Sequence, residues 1–312
     1  MSDHARTARP VIVTGAAGFI GHAVSHTLLA RGTRVIGTDI VRPAGEMPQN
    51  FRFVQADTRD SLRHTALLQE GCDGIIHCGG ISGPMLAQDN PAELYDINIR
   101  GTWQLLDLAR QFALRRFVLC SSVSAYGSAD PTAVIREDET LRASTPYGSS
   151  KAAADIVLQT YAMQHGLSAT SLRLGWVYGP GRRTDAILRP MIRSAFGGPA
   201  FHLPAGGDHA LQFVHVNDVA DAIIAAFDCD APASTRYNVN GAAVLSLRDI
   251  AARITQFLPD ARIDIGPGML PETDIQGPMS LQAALRDFGW QPRIDFDRGL
   301  RSYAAWLRDN SF

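Results

Sequence analysis

Along the first half of the chain, short β-forming runs alternate with segments that carry an apolar stripe at helical spacing. Residues 11–14, 34–38, 51–55, 74–78, 116–120 and 169–174 read as strands, and residues 20–31, 61–69, 95–112 and 147–164 as helices. Strand–helix–strand alternation needs crossover connections, and crossovers make neighbouring strands parallel. The chain is therefore expected to be an α/β protein built on a parallel sheet. After Leu174, glycine and proline interrupt often (Gly179-Pro180-Gly181, Gly197-Gly198-Pro199, Gly206-Gly207), and strands and helices are expected to become sparser in a smaller lobe. With 312 residues, 46% of them hydrophobic, the chain has material for one large domain and an appendage.

The first strand runs into Thr14-Gly15-Ala16-Ala17-Gly18-Phe19-Ile20-Gly21 and then a helix. Glycines here suit a tight turn, close approach of backbone to a pyrophosphate, and close packing of helix on strand. The unpaired N–H groups and dipole at the helix start favour the anion. The spacing is GxxGxxG rather than GxGxxG, and alone it is equally the mark of a plain turn. Asp39 ends the second strand about 20 residues downstream, where a carboxylate binds the adenosine ribose. A carboxylate there repels a 2′-phosphate and favours NAD over NADP, an effect that Arg42 nearby would soften; the bland reading of Asp39 is a cap or turn residue. Asp57, after the third strand, is placed either to accept from the adenine amino group or to cap the helix beginning near Ser61.

Tyr147-Gly148-Ser149-Ser150-Lys151 sets a phenol and an ammonium at i and i+4 on one helix face. A phenol is a poor acid–base group at neutral pH, and a neighbouring cation favours its ionised form. Upstream, Ser121-Ser122-Val123-Ser124-Ala125-Tyr126-Gly127 follows a strand and brings a hydroxyl to the carboxyl edge of the sheet, where ligands of such sheets bind.

Together these pieces resemble an extended short-chain dehydrogenase/reductase, leaning to the atypical members, of the NAD-dependent epimerase/dehydratase family. The resemblance covers nearly the whole chain. It continues through His77-Cys78-Gly79-Gly80, Asn98-Ile99-Arg100-Gly101-Thr102, Leu172-Arg173-Leu174-Gly175-Trp176-Val177-Tyr178-Gly179-Pro180, Phe213-Val214-His215-Val216-Asn217-Asp218 and Leu285-Arg286-Asp287-Phe288-Gly289-Trp290. It implies a Rossmann-type doubly wound parallel sheet that binds NAD over residues 11–175, after a flexible tail at 1–10. Residues 176–312 are implied to be mainly a substrate-binding lobe, partly interleaved with that domain. Tyr147 is implied as the acid–base group, Lys151 as the holder of the nicotinamide ribose and Ser122 as the hydrogen-bond partner of the reacting oxygen. Asn98 is implied to support the architecture, and His77 to be structural rather than catalytic. Cofactor contacts are implied for Gly15, Ala17, Gly18, Phe19, Ile20, Gly21, Asp39, Ile40, Asp57, Thr58, Cys78, Gly79, Gly80, Asn98, Ser121, Leu174 and Val177, beside Tyr147 and Lys151. Substrate contacts are implied for Ser82, Ser122, Ser124, Tyr147, Gly175, Trp176, Arg182 and Arg183.

The net reaction is a separate matter. Sugar-nucleotide dehydratases of this type carry an Asp-Glu pair after the catalytic hydroxyl, where this chain has Val123 and Ser124. Nucleotide-sugar epimerases usually show Arg-Asp before the aromatic of the Phe-Val-His-Val segment, where Leu211-Gln212 stands; a second arginine is often found where Asp274-Ile275-Gln276 stands. Losing bidentate donors argues against a nucleotide diphosphate, with Arg182, Arg183, Arg189 and Arg193 available to compensate. The stretches from His77 to Ser82 and from Asn98 to Thr102 resemble those of uronate dehydrogenases, which take a free sugar acid, and Thr184-Asp185-Ala186 is similar to a loop of threonine-dehydrogenase-like members. The expectation is a NAD-dependent dehydrogenase acting on a secondary alcohol of a sugar acid or related polyhydroxy compound. A nucleotide-sugar epimerase with tightly bound NAD is the alternative. A non-catalytic NAD sensor is a third reading, disfavoured by the intact Ser122/Tyr147/Lys151 set. Helices 95–112 and 147–164 resemble those of a four-helix dimer interface, which implies a homodimer.

A formal net charge of -2 gives no reason to expect nucleic acid or an anionic membrane as partner. The polar start shows no signal peptide, and no run of 18 apolar residues suggests a membrane span. Four cysteines without CxxC spacing or clustered histidines read as reduced thiols of a cytoplasmic protein with no metal site.

Overall fold

β1 (Val11–Thr14) is buried along its whole length. A strand sends successive side chains to opposite faces, and Val11 and Val13 accordingly enter one apolar cluster while Ile12 enters another. Burial on both faces is what a parallel sheet under two helical layers demands, so its strands read as continuous apolar runs. The computed structural model describes residues 9–45, 47–83, 86, 89–184 and 186–310. Apart from Arg9 and Pro10, the tail expected at 1–10 lies outside the described residues, as does Asp185.

Five more strands follow: β2 (Val35–Asp39), β3 (Phe51–Gln55), β4 (Gly74–His77), β5 (Arg116–Ser122) and β6 (Ala169–Leu174), all of them largely buried except the half-exposed β3. Beyond them come β7 (Trp176–Tyr178), β8 (Phe201–Leu203), β9 (Ala210–His215), β10 (Arg236–Val239), β11 (Val244–Ser246) and β12 (Ile263–Ile265). The helices are α1 (Phe19–Ala30), α2 (Ser61–Gln69), α3 (Pro91–Tyr95), α4 (Gly101–Gln111), α5 (Pro146–His165), α6 (Leu188–Arg193), α7 (Val216–Asp228), α8 (Leu247–Phe257), α9 (Gln282–Phe288) and α10 (Phe296–Asp309).

The main sheet has seven strands in the order β10-β6-β5-β4-β1-β2-β3, every neighbouring pair parallel. This is the doubly wound Rossmann-type arrangement. Chain order reverses between β1 and β4, and that switch point opens a crevice at the carboxyl ends of the strands. Val24 and Leu28 of α1, with Val219, Ile223 and Phe227 of α7, cover the face that carries Val11 and Val13. Leu67, Leu105 and Leu158, from α2, α4 and α5, cover the other.

Two sequence expectations change. The region after Leu174 is rich in regular structure; four of its strands are three residues long, too short for alternation to show. β10 joins the main sheet beside β6, and α7 covers that sheet, so chain on both sides of residue 175 builds it. β7, β9 and β11 form a smaller sheet, and Tyr178, Leu211, Phe213, Leu247, Ile250, Leu300 and Tyr303 make the separate core beneath it. Secondly, the single helix expected over 95–112 is broken: α3 passes through a π-helical turn, Asp96–Arg100, into α4. Wide turns of this kind often occur at functional sites, and this one carries Asn98.

α5 is set by local signals. Thr145 caps it by accepting from the Gly148 N–H at 3.0 Å, Pro146 opens its first turn, and Gly166 in the left-handed conformation ends it. No helix among the described residues is long and apolar enough to cross a membrane.

Candidate active site

The turn after β1 admits little but glycine at its first position. Gly15 has φ +66°, and a Cβ there would come within 2.8 Å of backbone atoms of Cys78 and Gly79. The turn thus lies directly on the end of β4, with backbone open to the crevice and the start of α1 pointing at it. Asp39 is tied to the same turn: its Oδ2 accepts from the Ala17 N–H at 3.0 Å and its Oδ1 from the Val41 N–H at 3.3 Å. The carboxylate is oriented at the edge of the cleft, as ribose recognition requires. Arg42 stacks on Phe53 at 5.3 Å. Asp57 does not cap α2, because Asp60 does, accepting from the Arg63 N–H at 3.0 Å. The Asp57 carboxylate is instead gripped by Arg59 through two bonds of 2.9 and 2.7 Å, which hold its pKa below the usual carboxylate value.

These residues fit the adenosine and pyrophosphate of a dinucleotide. With Asp39→Ala, the preference for NAD over NADP is expected to fall by roughly tenfold or more, the size of one charge-assisted hydrogen bond. An unchanged ratio of dissociation constants, measured by titrating both cofactors, would contradict the assignment.

Tyr147 and Lys151, one helical turn apart on α5, face the carboxyl end of β5 and are 7% and 8% exposed. The Lys151 ammonium donates to the Cys120 carbonyl at 3.0 Å and stands 5.9 Å from the centre of the Tyr147 ring. Ser122 closes the group from the end of β5; its Oγ accepts from the Ser124 N–H at 3.1 Å and donates to the Ser124 hydroxyl at 3.2 Å. A phenol, an ammonium and a hydroxyl converge where the sheet opens, an arrangement suited to moving a proton on and off a carbinol oxygen.

Behind them runs a directed chain of hydrogen bonds. The Thr102 hydroxyl donates to the Asn98 carbonyl at 2.6 Å, so its oxygen is left to accept from His77 Nε2, at 3.1 Å. Neutral His77 then has Nδ1 as acceptor for the Thr14 hydroxyl at 2.7 Å, and the Thr14 oxygen accepts from the Gly79 N–H at 3.1 Å. One tautomer satisfies every member. Burial first, then the Lys151 charge and His64, push the His77 pKa down to about 3. His77 is thus a positioning residue linking the glycine turn to the π turn.

A histidine held neutral when folded takes up protons only on unfolding. Its stabilising effect is complete above the unfolded value near 6.5 and fades as pH falls toward 3. His215, pushed down to about 4 by burial and by Arg298, acts in the same direction. The urea midpoint is expected to drop between about pH 6.5 and about pH 4.5; a flat midpoint would contradict a neutral, buried His77.

The cleft holds about 1090 Å³, at the upper end of the ~300–1,000 Å³ usual for ligand pockets. Gly15, Ala17, Gly18, Phe19, Ile20, Gly21, Asp39, Ile40, Asp57, Thr58, Cys78, Gly79, Gly80, Ser121, Ser122, Tyr147, Lys151, Leu174 and Val177 line it. So do Ser82, Ser124, Gly175, Trp176, Arg182 and Arg183. Asn98 is the departure. It is buried behind the wall, its Oδ1 accepting from the Ile81 N–H at 2.9 Å and its Nδ2 donating to the Ile81 carbonyl and the Ser150 hydroxyl at 3.0 Å. With its amide so engaged, Asn98 shapes the Gly80–Ile81 wall and the start of α5 without touching the cleft. A Cβ on Gly80, which has φ +148°, would meet that Asn98 Oδ1 at 2.6 Å.

Sequence reasoning missed the anchor of α5. Asp155 follows Tyr147 and Lys151 at the same four-residue spacing and is fully buried against Arg173 of β6, Oδ2 to Nε 2.6 Å. Arg173 also donates to the Tyr126 hydroxyl at 2.8 Å, and Tyr126 donates to Asn238 of β10 at 2.7 Å. The 147/151/155 stripe was the available signal.

The profile of the NAD dependent epimerase/dehydratase family matches residues 11–240. The chain belongs to this family. NAD is accordingly the cofactor of this epimerase/dehydratase family chain, and the chemistry it supplies is that of an enzyme. The chain is 27% identical to a UDP-glucuronate 4-epimerase of Thermodesulfobacterium geofontis, over 96% of both chains. It is 28% identical to a dTDP-glucose 4,6-dehydratase of Streptomyces griseus, over 95% of this chain and 93% of that one. Among solved structures it resembles the Thermus thermophilus UDP-glucose 4-epimerase in complex with NAD, with TM-score 0.83, 26% identity, and coverage of 96% and 99%.

Proposed function

We propose that this chain takes a hydride from a secondary alcohol carbon of a nucleotide-linked sugar and returns it, with Tyr147 as the acid–base group. The carrying observation is that Tyr147, Lys151 and Ser122 meet in one cleft with the glycine turn and Asp39. NAD supplies the hydride acceptor when bound. The Tyr147 oxygen takes the carbinol proton and later gives it back. Lys151, fixed on the Cys120 carbonyl, keeps a positive charge beside that ring. The Ser122 hydroxyl, its oxygen held by the Ser124 N–H, turns its proton from the Ser124 hydroxyl to the reacting oxygen. The relatives described above act, by their names, on nucleotide sugars. This support puts the epimerase alternative ahead of the sugar-acid dehydrogenase expected from the sequence.

One observation favours that dehydrogenase as a second reading. Leu211 is buried in the lobe core, and the Gln212 amide is engaged by Gly241, Asn240 and the Met279 N–H, so neither position offers a charged grip on a diphosphate. Arg182 lines the cleft instead. It donates to the Val177 carbonyl and to the Thr184 hydroxyl and stacks over Phe19 at 5.8 Å. Such a guanidinium suits a carboxylate or a phosphate on the substrate. Arg182→Gln is expected to raise KM for the anionic substrate by roughly tenfold or more with a smaller change in kcat; an unchanged KM would remove Arg182 from the substrate site.

The deciding experiment mixes the protein with NAD and a panel of nucleotide sugars, uronic acids and aldonic acids. Epimer formation by chromatography without net NADH supports the first reading. Net NADH from a free acid, with nucleotide sugars inert, replaces it by the second. We further propose a homodimer through α4 and α5, whose surfaces expose Trp103, Ile156 and Met163; light scattering at the monomer mass would refute it.

A further inference from the structure

Two of the four cysteines lie side by side in the cleft wall, and hydride transfer makes no use of their thiols. β4 and β5 run parallel with His77 opposite Leu119, so the next residues, Cys78 and Cys120, are direct neighbours. Their Sγ atoms are 3.4 Å apart. Adjacent strands stand ~4.8 Å apart, within the ~4.4–6.8 Å Cα separation that a disulfide spans. Both line the cleft; Cys78 is partly open to it, whereas Cys120 is buried in the wall beside it.

We propose that Cys78 and Cys120 form a redox-sensitive dithiol, a modification site where a peroxide-class oxidant closes a disulfide beneath the dinucleotide.

The step balances. The Cys78 thiolate attacks one peroxide oxygen, the O–O bond breaks, and the leaving oxygen departs as water with the proton given up by Cys78. The Cys120 sulfur then attacks the Cys78 sulfenic sulfur and displaces its hydroxyl, which leaves as a second water with the Cys120 proton. Two thiols lose two electrons in all, and one hydrogen peroxide becomes two waters.

Both ends of the bridge are coupled to the machinery. The Cys120 carbonyl is the anchor of the Lys151 ammonium at 3.0 Å. The Cys78 backbone packs under Gly15, whose Cβ position is 2.8 Å from the Cys78 carbonyl carbon. Drawing the sulfurs from 3.4 Å to the ~2.05 Å of a disulfide pulls on the backbone that sets the cofactor turn and Lys151. A dinucleotide lying on that turn covers Cys78, so bound NAD slows the oxidation. The hydrogen bond with Cys120, then burial, push the Cys78 thiol up, with Lys151 acting in the opposite direction. Thiolate is therefore scarce, and the reaction with peroxide is slow.

The test treats the full chain with hydrogen peroxide, with and without saturating NAD, then alkylates free thiols and maps peptides by mass. The expected product joins the peptides of Cys78 and Cys120 with loss of two hydrogens, more slowly with NAD present. Activity falls in proportion to the linked fraction and returns with dithiothreitol. Cys78→Ser and Cys120→Ser should each abolish the linked peptide. Several results would overturn the proposal: both residues recovered alkylated while Cys72 and Cys229 are oxidised, equal rates with and without NAD, or a linked protein of full activity. The peptide readout needs no turnover, so failure of the epimerase reading would leave this result interpretable.

Discussion

Phenylalanine at position 147 is expected to lower turnover by roughly 10²–10⁴-fold, the contribution of a positioned proton-transfer group, and to leave NAD affinity essentially unchanged. The substitution removes one oxygen and keeps the ring of a side chain that is 7% exposed. Lys151 retains its bond to the Cys120 carbonyl, and Ser122 its bond from the Ser124 N–H, so the rest of the site keeps its shape. The two effects are read separately, by kcat on the identified substrate and by titration of NAD. Turnover at the wild-type rate would take the acid–base role from Tyr147. Loss of NAD binding together with turnover would make the hydroxyl a binding group instead.

The largest effect on stability is expected from Asp155→Ala, at about 3–5 kcal/mol, the penalty for leaving a buried charge without its partner. Asp155 and Arg173 are 0% and 1% exposed, and the Ser171 hydroxyl also donates to the carboxylate. Burial disfavours the charged form of Arg173, and Asp155 and Tyr126 together outweigh it, leaving that guanidinium more firmly protonated than in water. Without Asp155 it keeps bonds to Tyr126 and to the Glu137 carbonyl but has no countercharge. The double variant Asp155→Ala/Arg173→Leu removes the orphaned charge and should recover part of the loss, which urea unfolding of the four proteins in a cycle resolves. Equal stability of wild type and Asp155→Ala would show that the pair contributes nothing. Because α5 carries Tyr147 and Lys151 on the stripe that Asp155 pins, activity is expected to fall in the single variant even where the protein stays folded.

The strands at 11–14, 51–55 and 169–174 were legible to the residue, the first and last as fully buried apolar runs and the edge strand 51–55 as a short β-forming run between turns. Gly15, Asp39, Ser122, Tyr147 and Lys151, whose roles the family resemblance implied, line one cleft, each at a place set by local geometry. A tight turn needs glycine, a strand end needs its carboxylate, and one helix face needs residues four apart. β7, β8, β11 and β12 were not legible, since three residues cannot show alternation. The place of β10 beside β6 was hidden because strand order across a sheet is a long-range choice. Asn98 was expected to touch the cofactor, yet its amide is engaged by Ile81 and Ser150, partners 17 and 52 positions away.

By itself, then, the sequence determined most strands of the sheet, the glycine turn and the helix face shared by Tyr147 and Lys151, because backbone sterics and side-chain periodicity act over a few residues. Only the tertiary structure decided which polar groups satisfy one another: Asp155 with Arg173, His77 between Thr14 and Thr102, Cys78 beside Cys120. Such pairings are settled by burial, where every donor and acceptor must find a partner, and burial belongs to the folded chain rather than to any short segment of it.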